Sequence, residues 1–136
     1  MSRDADATSG QPPETVPEDV RRFVLTSIPS VPFLEALLIF RGSAAPLRVR
    51  TLAERLYTSE ERAEELVAQL RASRLVQPGS DGIDFRFAPA TAELARLIDR
   101  LAQAYAAHLL DITRLIHSNT ERKAHQFADA FKLRKN

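Results

Sequence analysis

The sequence predicts a mainly α fold with a single small β wing and a long helical C-terminal extension. Three observations predict it. Apolar residues recur every three or four positions over most of the chain, which is the period of an amphipathic helix. One stretch, Ile83-Asp84-Phe85-Arg86-Phe87, alternates strictly between apolar and polar and follows a turn dense in glycine. From Thr91 onward one apolar stripe continues without a strong break as far as Ile116.

The elements follow in order. Residues 1–14 carry almost nothing apolar and are expected to form a disordered tail, because they bury too little to offset the cost of ordering. Thr15 and Glu18 have the spacing of a capping box, Pro17 suits a first turn, and Val20, Phe23 and Val24 make a short helical face that Pro29 ends. A second helix starts at Ser30 with Pro32 in its first turn. Leu34, Leu37 and Leu38 form its face, Phe33 and Phe40 add bulk, and Gly42 is expected to end it in the left-handed conformation. Leu47-Arg48-Val49-Arg50 alternates and suggests a short strand. Thr51 with Glu54 and Thr58 with Glu61 are two further capping boxes only seven residues apart. They imply a short helix, a tight turn and a second helix from about Ser59 to Ser73, with Ala63, Leu66, Val67 and Leu70 facing inward. Leu75-Val76-Gln77 and the alternating stretch at 83–87 form a hairpin around Pro78 to Gly82, with Ile83, Phe85 and Phe87 facing the helices. The stripe Leu94, Ile98, Leu101, Tyr105, Leu109, Ile112 and Ile116 then predicts a rod of roughly 26 residues, near 40 Å long at about 1.5 Å per residue. Ser118 and Glu121 start a last helix with Ala124, Phe127, Ala128 and Phe131 on one face and a basic end from Lys132 to Lys135. The domain reading is 1–14 tail, 15–89 folded domain and 90–136 C-terminal helices.

Composition narrows the function. The 136 residues are 44% hydrophobic and 27% charged, with 19 Lys and Arg against 18 Asp and Glu, so no global field draws the chain to nucleic acid or membrane. Without cysteine there is no disulfide, thiolate metal site or cysteine nucleophile. The N-terminus lacks the apolar stretch of a signal peptide, and a cytoplasmic protein is expected. No GxSxG, P-loop or GxGxxG occurs. His108, His117 and His125 have no metal-ligand spacing, and His108 with Asp111 lacks a third ligand nearby. The expectation is no enzyme, no cofactor and no metal.

The order helix, short strand, helix, turn, helix, hairpin from about Val31 to Ala88 resembles a winged helix-turn-helix domain. The stretch AERLYTSEERAEELVAQLRASRLVQ, Ala53 to Gln77, is similar to the helix-turn-helix of small bacterial regulators of the MarR and ArsR type. RLIHSN, Arg114 to Asn119, followed by FADAFKLRKN, Phe127 to Asn136, resembles an uncharacterised group of bacterial winged-helix proteins. The first resemblance implies a DNA-binding transcription regulator whose second helix enters the major groove and whose wing touches the backbone. It implies base contacts from Ser59, Arg62 and Gln69, and backbone contacts from Arg48, Arg50, Thr51, Thr58 and Arg86. Glu65 and Ser73 share the outward face, and Gly79 to Gly82 form the wing tip.

The chain departs from that pattern at the start of the recognition helix. From Ser59 to Leu66 it carries four Glu against one Arg, a local charge of −3, where phosphates would need cations. The wing tip holds Asp81 and no Lys or Arg. A second reading follows, a protein-interaction module whose acidic helix docks on a basic partner without DNA. Under either reading the long stripe outruns the core that could cover it. A homodimer is expected through Leu101, Tyr105, Leu109, Ile112, Ile116, Phe127 and Phe131.

Overall fold

The computed structural model describes residues 15–120. They fall into two compact units, one of residues 31–98 and the other of the segments 15–30 and 99–120. The first helix therefore belongs with the C-terminal segment, although the sequence reading groups 15–89 together. The expected tail at 1–14, the Ser118 and Glu121 capping box, the face from Ala124 to Phe131, His125 and the basic end all lie, in whole or in part, outside the described residues.

The 31–98 unit is a mainly α fold with a small antiparallel wing, as the sequence predicts. Its first helix, α2 (Val31–Gly42), buries Phe33, Leu34, Ala36, Leu37 and Phe40. Gly42 remains inside this helix and does not take the left-handed role expected of it; among the described glycines that conformation falls to Gly82. Ser43 closes the helix instead. Its backbone N–H donates to the Phe40 carbonyl at 3.2 Å and its hydroxyl to the Ile39 carbonyl at 2.8 Å.

The strand expected at 47–50 shrinks to one bridge. Leu47 exchanges both backbone hydrogen bonds with Phe85, at 2.7 and 2.8 Å. Helix α3 (Val49–Leu56) begins two residues later, so Thr51 is inside the helix and caps nothing. Leu52 and Ala53 are its buried residues. Tyr57 ends it in the left-handed region at φ 55°. The next cap is Ser59 and not Thr58: its hydroxyl accepts from the Arg62 backbone N–H at 3.1 Å and opens α4 (Glu60–Ala72). Ala63, Leu66, Val67 and Leu70 are buried, the face read from the sequence. Helix α4 packs on α2, α3 and the wing.

The wing pairs β1 (Val76–Pro78) with β2 (Phe85–Phe87), with Val76 opposite Phe87 and Gln77 opposite Arg86. Phe85 and Phe87 are half-buried, but Ile83 is 57% exposed and does not join the packed face. It lies before the paired register begins, in the turn that Asp81 organises. Thr91 then caps α5 (Ala92–Ala107), accepting from the Leu94 N–H at 3.0 Å.

The expected unbroken rod is interrupted. Helix α5 ends at Ala107, His108 is not helical, and a further helix, α6, occupies residues 109–120. In the unit formed by 15–30 and 99–120, α1 (Glu18–Ser27) follows Pro17, which stands at its N-cap without a side-chain bond, so Thr15 does not cap it. Val20, Val24, Ile28, Leu101, Ala104, Ile112 and Ile116 are buried here. Asp19 accepts from both Nε (3.1 Å) and Nη2 of Arg100. Asn119 donates its amide to the Leu25 carbonyl at 2.6 Å.

Candidate nucleic-acid interface

The buried stripe of α4 turns the opposite face to solvent. Ser59 and Gln69 are exposed there and Arg62 is partly exposed. These are the three residues that the resemblance assigns to bases, and one helix face brings them together. Two of them are already engaged. The Ser59 hydroxyl holds the helix start, and the Arg62 guanidinium lies 3.0 Å from the Glu65 carboxylate. Glu60, Glu61 and Glu64 are all exposed. The first half of the helix therefore presents carboxylates, and its one arginine is paired.

The residues assigned to the backbone separate into two groups. Arg50 pairs with Glu54 along α3 at 3.6 Å, and Thr51 and Thr58 are half-buried. Arg48 is exposed, and its charge reaches the acids of the wing. There Asp81 accepts from the N–H groups of Ile83 and Asp84 at 2.9 and 3.2 Å, and these bonds hold its carboxyl below the usual range. Asp84 is shifted the other way, by partial burial first, then by its hydrogen bond with Asp81 and by that neighbour's charge. The wing tip is thus an anionic turn. Arg86 lies further back, exposed on β2, and donates to the Gln77 side chain at 3.3 Å.

Two further arginines of this unit were not singled out in the sequence. Arg71, on the last turn of α4, lies over the Phe85 ring at 5.8 Å from its centre. Arg74 follows the helix in the left-handed region at φ 59°. Its carbonyl accepts from Ala90 at 3.1 Å. Both line a cleft of about 430 Å³ with Val76, Gln77, Pro78, Ala88 and Ala90. Among the described residues, Arg71, Arg74 and Arg86 have no carboxylate within 4.0 Å. The only sequence signal was the spacing of three between Arg71 and Arg74 just before a strand. Tyr57, 97% exposed in the turn before α4, also escaped notice because its conformation cannot be read from the chain.

The stripe expected to join two chains is largely used within one. Leu101, Ile112 and Ile116 are buried and Tyr105 is half-buried. Leu109 is 50% exposed and Leu110, outside the stripe, 65%. Phe127 and Phe131 lie outside the described residues. His108 Nδ1 lies 3.9 Å from Asp111. No group of three possible metal ligands occurs among the described residues, and no single helix there is long and apolar enough to cross a membrane. Comparison with protein-family models, curated proteins and solved structures finds no match to this chain.

Proposed function

We propose that the chain is a cytoplasmic DNA-binding transcription regulator that uses a winged helix-turn-helix. The observation that carries this reading is the placement of α4. It follows a short helix and a three-residue turn, buries one face on α2 and α3, and leaves the other open beside a wing that presents Arg86. A helix held in this way reads a groove while the wing contacts backbone. Arg48 and Arg86 serve the phosphates, and Gln69 has its amide available for a base edge. Dimerisation is part of the proposal, through the exposed Leu109 and Leu110.

One observation favours the second reading, a module that docks on a basic protein. The open half of α4 carries Glu60, Glu61 and Glu64, and Glu65 neutralises Arg62. The two readings give opposite signs. In a fluorescence titration against duplex DNA, Glu64→Gln with Glu65→Gln strengthens binding by a regulator, because two carboxylates leave the phosphate field and Arg62 is released. For a module with a basic partner, the same change weakens the partner and leaves DNA unbound. Absence of DNA binding by both forms at about 50 mM salt, where phosphate attraction is strong, refutes the regulator.

A further inference from the structure

We infer that Arg71, Arg74 and Arg86 form a phosphate clamp that grips the DNA backbone at the C-terminal end of α4, so that this end and not the acidic start of the helix lies closest to the duplex. The inference rests on the DNA-binding reading and adds to it the contact residues and the polarity of docking.

Charge decides the polarity. The start of α4 carries four exposed or paired carboxylates against Arg62, which Glu65 already satisfies. The other end carries Arg71 and, just past it, Arg74, and neither these nor Arg86 on β2 has a carboxylate within 4.0 Å among the described residues. A helix C-terminus contributes about half a negative charge, which three full positive charges outweigh.

Geometry makes Arg71 and Arg74 a site and connects Arg86 to its edge through Gln77. Arg71 and Arg74 line one cleft. The Phe85 ring restrains Arg71 from one side. Gln77, also in the cleft, accepts from Arg86, its partner across the sheet, and so ties the third guanidinium to the edge. Pairs of arginines held in this way suit the forked geometry of phosphate oxygens. Arg74 adds an independent sign. Its left-handed backbone, at φ 59°, is one that glycine adopts freely and that a residue with a Cβ adopts only at a cost. A large cation stands at a position where backbone conformation alone favours glycine.

That strain supplies the test. Full-length wild type, Arg62→Ala, Arg74→Gly, Arg74→Lys and the triple variant Arg71→Gln, Arg74→Gly, Arg86→Gln are titrated with a short random-sequence duplex at about 50 and 200 mM salt, and each is melted thermally. The clamp predicts that Arg74→Gly melts no lower than wild type yet binds more weakly. Its loss of affinity across that salt range should be about fourfold shallower, the equivalent of one phosphate contact. Arg74→Lys keeps the salt dependence of wild type, and the triple variant loses close to three units of slope. Unchanged affinity and slope in the triple variant overturn the clamp. If wild type binds and only Arg62→Ala weakens it, the clamp is wrong while the regulator stands. If wild type does not bind at about 50 mM salt, both fall.

Discussion

At the scale of single residues, Leu66 and Leu70 hold the candidate interface in place. Both are fully buried on the face of α4 turned to the rest of the unit. Replacing either with alanine is expected to cost about 2–5 kcal/mol, from lost transfer energy and the cavity left behind. Denaturant melts check this; a loss below about 0.5 kcal/mol would place the residue at the surface. Ser59 has a smaller role that is just as specific. Its hydroxyl satisfies the Arg62 N–H, so Ser59→Ala should cost about 0.5–2 kcal/mol in the same melts, and Ser59→Asp should restore most of it. Ser59 was assigned to a base, but its oxygen already serves the backbone of its own helix. Helical spacing placed the residue on the outward face, where the structure leaves it exposed. Spacing could not show that its hydrogen bond was already made.

At the scale of elements, the clearest pair is Asp19 on α1 and Arg100 on α5. The guanidinium bonds hold the Asp19 carboxyl below its ordinary value of 3.8. The native state therefore releases this proton more readily than the unfolded chain. The pair adds stability above the ordinary carboxylate range, and that contribution disappears as pH falls through the depressed native value. Both side chains are about half exposed, so solvent screens the gain. Urea melts from neutral to acid pH should show a shallower acid loss for Asp19→Asn than for wild type; identical pH profiles would exclude the contribution.

Element interiors were legible in the sequence and element edges were not. The inward face of α4 and the pairing of β1 with β2 follow from hydrophobic period and turn composition, which depend on many residues at once. The edges depend on single competitions. Thr58 and Ser59 are neighbours that can both cap, and the chain uses Ser59. Ser43 supplies the bonds that close α2, so Gly42 is not needed for a left-handed turn. The stripe after Thr91 keeps its apolar period through His108, yet the helix stops there. Period measures which residues are apolar and is silent on a backbone interruption. At the candidate site, the outward face of α4 and Arg86 were legible. Arg71 and Arg74 were not, because what distinguishes them is the cleft they line together, a property of three-dimensional arrangement.

At the scale of the whole molecule, two claims remain, association and partner. Among the described residues after α5, Leu109 and Leu110 are the large apolar side chains left exposed. Light scattering at micromolar concentration should give twice the chain mass, and Leu110→Glu should halve it; a monomer in the wild type rejects the dimer. The partner is the central claim, and amide chemical-shift mapping tests it most directly. Uniformly labelled protein is titrated with a short random-sequence duplex at low salt. The account predicts saturable shifts concentrated at Gln69, Arg71, Arg74, Gln77 and Arg86, with Glu60 and Glu61 little changed. Shifts absent throughout, or confined to Tyr57 and the acidic start of α4, would contradict it.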